Sequence, residues 1–215
     1  MNVLSRCVIA ILGLLPSLII AAEPVGLNEE TYKTNLGVII IQVNWGRTWK
    51  CGQFENAQLQ ALTFTKSPFN KSNETSLELK THSKLFVDNK FLPYAYVVQP
   101  GEYILTAFDV KVARSTADVM HIKGTKDNLI KEGKPVGGIF TVKPGEIVYI
   151  GHFGLECSAE PFLWRYYIDG RSEFESYIDG FRKKYPFVKD IPVQFRLFST
   201  KVLGNPYALD EPTVK

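Results

Sequence analysis

The chain is poor in the residues on which much catalytic and metal chemistry rests. Its 215 residues include three cysteines and three histidines. His82, His121 and His152 stand far apart. They form no His-x-His or His-x-x-x-His pair, the spacings that place two imidazoles on one face of a strand or helix, so no local metal site is written. A Gly-x-Ser-x-Gly elbow, a phosphate loop and a dinucleotide fingerprint are all missing. Strands and helices do not alternate, which argues against a doubly wound α/β fold. Positive charge is in only small excess, with a formal net charge of +3, and the expectation is no nucleic-acid partner. Beyond the N-terminus no apolar run is long enough to span a bilayer.

What is present begins with an export signal. Arg6 supplies a positive start, Val8 to Leu15 an apolar core, and Ala21-Ala22 a small-residue cleavage site before Glu23-Pro24. Residues 1–22 are therefore read as a cleaved Sec-type signal peptide, with a retained N-terminal anchor as the alternative. The expected location is periplasmic or secreted, with no transmembrane segment after cleavage. Removing Arg6 with the signal brings the net charge to +2. Cys51 and Cys157 then remain, and in an oxidising compartment two cysteines favour a disulfide. Two buried thiols or one reactive thiol are the alternatives.

Aromatic residues make up 13% of the chain, and with many Val and Ile they favour strands. Leu36 to Trp45 puts Ile39, Ile41, Val43 and Trp45 on one face and Val38, Ile40, Gln42 and Asn44 on the other. The second face changes from apolar to polar, which predicts cover over one end only. Gly46 to Thr48 reads as a turn. In Ala57 to Phe64 the apolar parity changes between Ala61 and Leu62, predicting a bulge. Lys66 to Ser76 is a polar loop with sequons at Asn70 and Asn73, and short strands are expected at Leu77 to Leu79 and Leu85 to Val87. Tyr103 to Val112 alternates, with Ile104, Thr106, Phe108, Val110 and Val112 assigned to one face. Glu23 to Asn35 reads as a loosely held arm and Lys123 to Pro135 as a mobile loop.

Two phrases repeat: Gln99-Pro100-Gly101-Glu102 and Lys143-Pro144-Gly145-Glu146, each between apolar runs. Pro presets φ and Gly supplies positive φ, a type II turn signature, and both are read as hairpins. Glu102 and Glu146 are read as solvated turn exits. One helix is expected near 172–185. Ser172 and Glu175 suggest a capping box, Phe174, Tyr177, Ile178, Phe181 and Tyr185 form an apolar stripe, and Arg182, Lys183 and Lys184 sit where the dipole favours cations. Pro186 ends it. The fold class is mainly β: one domain over 23–215, an antiparallel β-sandwich of about nine or ten strands with one helix in the C-terminal half.

Candidate site residues are few. His152 and Cys157 are five residues apart, which places them on opposite faces of a strand and disfavours a Cys-His pair. Trp45, Trp49, Trp164, Tyr166 and Tyr167 could line a groove for sugar or peptide, although such residues also fill sandwich cores. Trp49, His152, Glu156 and Trp164 are the binding-site candidates, the middle two lying where the regular strand gives way to loop. No catalytic, metal or cofactor-binding residue is assigned and no cofactor is expected.

The stretch Val142 to Gly151, with Pro144-Gly145-Glu146 followed by Ile147-Val148-Tyr149-Ile150-Gly151, resembles a strand phrase of small β-rich domains in bacterial envelope proteins and lipoproteins. Pro100 to Tyr103 and Lys183 to Pro186 are similar to the same group. The resemblance covers the last half of the chain and implies an exported bacterial β-sandwich. It carries no catalytic residue, and the chain departs from the lipoproteins in lacking an acylation cysteine. The functional expectation is an exported, non-enzymatic module binding an envelope protein or small ligand. The alternatives are a hydrolase or metal-dependent enzyme with a spatially assembled His/carboxylate site, and a structural subunit of an envelope complex.

Overall fold

The computed structural model describes residues 24–68, 75–81 and 88–209. The signal at 1–22, His82, Asn70, Asn73 and the strand expected at Leu85 to Val87 lie outside these residues.

In chain order the strands are β1 (Gly37–Val43), β2 (Arg47–Cys51), β3 (Phe54–Lys66), β4 (Ser76–Lys80), β5 (Leu92–Val98), β6 (Gly101–Ala113) and β7 (Val119–Gly124). A helical turn, α1 (Lys126–Leu129), leads to the two-residue strands β8 (Ile130–Lys131) and β9 (Lys134–Pro135). Then come β10 (Ile139–Val142), β11 (Ile147–Glu156), β12 (Phe162–Tyr166), α2 (Arg171–Lys184), a 3₁₀ turn (Pro186–Val188) and β13 (Val193–Phe195).

One sheet runs β12-β11-β1-β5, with β13 also on β11. The other runs β10-β6-β3-β2, with β4 on β3 and β7 on β6. The fold is thus a mainly β, two-sheet sandwich with one longer helix, built from eleven strands among the described residues besides the β8-β9 ribbon. The inner face of β1 (Ile39, Ile41, Val43) packs with Leu59, Leu62 and Phe64 of β3 and with Val148 and Ile150 of β11. Its outer face (Val38, Ile40) packs with Ile147, Tyr149 and, from α2, Phe174, Ile178 and Phe181. The molecule therefore has three layers, and α2 is the cover predicted over one end of β1.

The two Pro-Gly turns are not hairpins. β5 and β11 lie in one sheet, while β6 and β10, their neighbours across the turns, lie in the other. At the second turn the chemistry is as read, since Gly145 has φ +72° and the Glu146 amide donates to the Lys143 carbonyl; at the first, Gly101 has φ +149° and departs from the type II geometry. Each turn instead carries the chain from one sheet to the other. The two phrases end up side by side, Gly101 opposite Val142 and Ile104 opposite Ile139. Glu146 is correspondingly not a solvated exit. It takes two hydrogen bonds from Arg196, at 2.8 and 3.2 Å, and one from the Lys143 amide at 3.0 Å.

Other readings change for local reasons. The bulge expected in β3 falls at Gln60, where the register against β6 shifts between Leu59 and Ala61. A second shift leaves Thr106 as the extra residue on β6, so Tyr103 and Leu105 face the core with Val110 and Val112, and the uniform alternation predicted there fails. Buried Thr106 meets Thr65 hydroxyl to hydroxyl at 2.7 Å, which satisfies both. Residues 25–27 are not a loose arm: the Leu27 amide donates to Ala95 and Val97 to Val25, capping the edge of β5. Buried Leu129 pins the expected mobile loop. The residues after Gly46 form β2 rather than a turn. Helix α2 starts one residue early on Gly170 (φ +79°) with no side-chain cap, so the Ser172 capping box does not form; the Tyr207 hydroxyl accepts the Gly170 amide at 2.7 Å instead.

Cys51 and Cys157 form a disulfide across a sequence separation of 106 residues. It ties the end of β2 in one sheet to the exit of β11 in the other. Gly52 beside it has φ +58°, and a Cβ there would meet the Ala159 carbonyl at 1.8 Å, so only glycine fits. Replacing Cys51 and Cys157 together by Ala is expected to cost about 4 kcal/mol through the freed unfolded chain. Thermal unfolding followed by circular dichroism should then fall by about 10 °C; an unchanged midpoint would mean the cross-link adds nothing.

Candidate functional site

The four binding-site candidates do not converge. Trp49 is 61% exposed on β2, with the Arg47 guanidinium 5.4 Å from its ring centre. Trp164 is half-buried edge-on to Phe162. Glu156 accepts the Ser158 and Cys157 amides at 2.8 and 2.9 Å, so its carboxylate closes a turn, and those bonds hold its pKa below the usual carboxylate range. Exposed Trp49 on β2 and exposed Val119 and Met120 on β7 lie on opposite edges of their sheet and make no single apolar patch. Elsewhere, His121 meets Asp109 at 2.7 Å on the solvent-facing pair of β6 and β7. Among the described residues no three His, Cys, Asp or Glu side chains converge.

His152 has the most unusual surroundings of the four. Two residues of β11 oppose one of β1 between Ile40 and Gln42, and Gly151 at the bulge has φ +106°. The bulge turns His152 outward beside Tyr149, where Phe91, Tyr149 and Tyr177 surround it with ring centres 5.1, 5.5 and 6.3 Å away. It is 9% exposed, and its Nε2 has no hydrogen-bond partner. Burial in this apolar box disfavours the imidazolium and pulls the pKa down to about 4. The ring is neutral at pH 7 and packs as one more aromatic.

The same bulge makes room for a residue that sequence reasoning passed over. Arg165 sits on β12 opposite Phe153, in the inward register of Leu163. It is 2% exposed. Two glycines pack against it: a Cβ at Gly151 would lie 2.9 Å from Arg165 Cδ, and one at Gly204 would lie 2.7 Å from the Arg165 carbonyl oxygen and 3.2 Å from Nε. Nη2 donates to the Asn205 carbonyl at 2.6 Å, and the guanidinium lies 5.7 Å from the Tyr167 ring centre. Nε and Nη1 have no partner, and no carboxylate among the described residues pairs with the group. Desolvation pulls its pKa down, yet a guanidinium stays charged at any physiological pH.

Arg165 lies in the wall of a cavity of about 800 Å³ between the first turns of α2, the segment around β13 and the chain near Tyr207. Phe174, Phe195 and Phe198 give it an apolar floor; Arg171, Arg196 and Glu175 stand around it. Segment 203–209 acts as a strap: Leu203 accepts the Arg165 amide, and Tyr207 stacks on Tyr167 at 4.0 Å. A smaller apolar groove of about 310 Å³ runs between α2 and β5, lined by Ile40, Tyr94, Ala95, Tyr177 and Phe181. None of Trp49, His152, Glu156 or Trp164 lines either space. The signal for Arg165 was an arginine at a core-parity position in the run Phe162-Leu163-Trp164-Arg165-Tyr166.

No protein-family model, no curated protein and no solved structure matches the chain.

The buried neutral His152 fixes a direction of pH dependence. Its folded pKa lies below the unfolded value near 6.5, so between about pH 6.5 and 4 the unfolded chain binds the extra proton and stability falls with acidification. Across that window the loss is about 3 kcal/mol. Chemical denaturation at pH 7 and pH 4.5 should show this slope in the native chain and a shallower one in His152→Leu; equal slopes would remove His152 as its source.

Proposed function

We propose that the chain is an exported, non-enzymatic β-sandwich module whose task is to bind a small ligand in the cavity walled by Arg165. The observation that carries this reading is the cavity itself. At about 800 Å³ it falls within the range of small-molecule sites, and it combines an aromatic floor with a few convergent charged groups. The export half of the reading is supported by the Cys51–Cys157 disulfide, a bond that persists in oxidising compartments. The envelope setting implied by the resemblance belongs to the same proposal.

Binding rather than catalysis is favoured by what surrounds the cavity. Its charged groups are three arginines and one glutamate, and arginine is too basic to shuttle protons at neutral pH. Cys51 and Cys157 are spent in the disulfide, and His152 lies outside the walls of the cavity. Such a set can attract and orient a ligand.

Native mass spectrometry of protein exported by its own host tests the reading. The expected result is a non-covalent adduct of small-molecule mass that is lost on denaturation. Bare polypeptide, together with no thermal stabilisation by any member of a broad metabolite library, would sink it.

A further inference from the structure

Arg165 is the largest electrostatic anomaly of the described chain. A buried cation is ordinarily paired, because leaving water costs more than a single neutral hydrogen bond returns. Here one carbonyl, Asn205, takes Nη2, and two N–H-bearing nitrogens go without a partner. The surroundings add positive rather than negative charge. Arg171 opens α2 at the cavity, and the amide end of this 14-residue helix carries the positive end of its dipole. Glu146 is already engaged by Arg196, and Glu175, which also lines the cavity, lies 4.0 Å from the Arg171 guanidinium. Gly151 leaves room for the arginine stem, whose Cδ would lie 2.9 Å from a Cβ there, and Gly204 lets its own segment close onto the Arg165 backbone.

Resting on the binding reading above, we propose that the cavity takes a small organic acid, its carboxylate completing Arg165 and its apolar body lying on Phe174, Phe195 and Phe198. A guanidinium offers parallel N–H donors that match the two oxygens of a carboxylate. Nε and Nη1 are both buried, with Gly204 of the strap packed against Nε, so the ligand enters as segment 203–209 lifts, and its carboxylate replaces the Asn205 carbonyl. Opening the strap breaks the Tyr207–Tyr167 stack and the bond from the Gly170 amide to the Tyr207 hydroxyl, both of which re-form or stay open with the ligand's size. The charge on Arg165 sets the class of ligand, and the aromatic floor selects among its members.

The test uses the full exported chain, with 3-phenylpropionate as probe, its neutral amide as control and inorganic phosphate as a bare anion. In thermal-shift and calorimetric titrations at millimolar concentration, the acid should bind and raise Tm. The amide should bind about 10- to 100-fold more weakly, as expected for losing a charge-assisted pair. Phosphate binding as strongly as the acid would assign the site to inorganic anions and overturn the organic-acid proposal.

Arg165→Met keeps the side chain's length without its charge. It should abolish the difference between acid and amide while leaving the ligand-free Tm at or above that of the native chain, since an unpaired buried charge has been removed. A clearly lower ligand-free Tm would mean that Arg165 is already paired within the protein. The double variant Asp210→Asn/Glu211→Gln checks the two acidic residues that follow Leu209 in sequence. A fall in Tm equal to that of Arg165→Met would name them as its partner and overturn the proposal. Equal binding of acid and amide, or no acid-dependent shift in the native chain, also overturns it. A neutral co-purified adduct would leave the binding module standing and remove only the anion assignment.

Discussion

The structure depends on strands that are apolar on both faces. Val38 to Ile41 of β1 are essentially inaccessible to solvent, and β11 is buried from Ile147 through Gly154. A two-layer sandwich covers only one face of each sheet, so these two strands demand a third layer. Helix α2 supplies it through Phe174, Ile178 and Phe181. Pairing β1 parallel to β11 follows from the same demand, since parallel pairs are stable where both faces are covered. Every feature near the candidate cavity, from the start of α2 to β13 and the strap, sits where this third layer ends.

Much of this was legible in the residues. The two faces of β1, the bulge in β3, the apolar stripe of α2 and the disulfide partners all follow from periodicity or elimination, which are local or nearly so. The Pro-Gly turns were misread for a physical reason. Turn chemistry fixes the backbone at Gly145, but it does not choose the strand that each arm pairs with. That choice is made by distant residues: β10 finds β6, and β11 finds β1. A strand as uniformly apolar as Ile147 to Ile150 was the available warning, because half-buried hairpin arms alternate. The capping box failed similarly. Ser172 has the right spacing to Glu175, yet Tyr207, 35 residues after Ser172 in the numbering, already satisfies the Gly170 amide from outside the helix.

The candidate site was far less legible than the fold. The residues singled out from sequence were two tryptophans, a histidine and a glutamate, types that signal binding when exposed together, and the fold disperses them. Arg165 was hidden because an arginine within an apolar strand is normally read as pointing to water. Its inward position depends on the bulge at Gly151, on Gly204 almost forty residues away in sequence, and on a strap that only the folded chain brings over it. None of these three is a motif. Each is a space left for a side chain, and spaces are not written in spacing.

The bulge at Gly151 ties the two odd polar groups of the sandwich together. By adding one residue to β11 it reverses the parity of the strand, sending His152 into the aromatic layer beneath α2 and opening the inner side for the stem of Arg165. One group solves burial by giving up its proton, since imidazole is neutral at little cost near neutral pH. The other has no such exit, because guanidinium does not deprotonate. The same backbone irregularity therefore yields a silent residue on one face and an unpaired charge on the other. The charge persists although its burial costs several kcal/mol, an amount comparable to what the Cys51–Cys157 cross-link contributes. The disulfide secures the far end of β11, beyond Glu156, while the end near β13 bears the cavity. A sandwich stapled at one end can carry a costly group towards the other, and a group retained at that cost is better explained by what it meets there than by the fold it burdens.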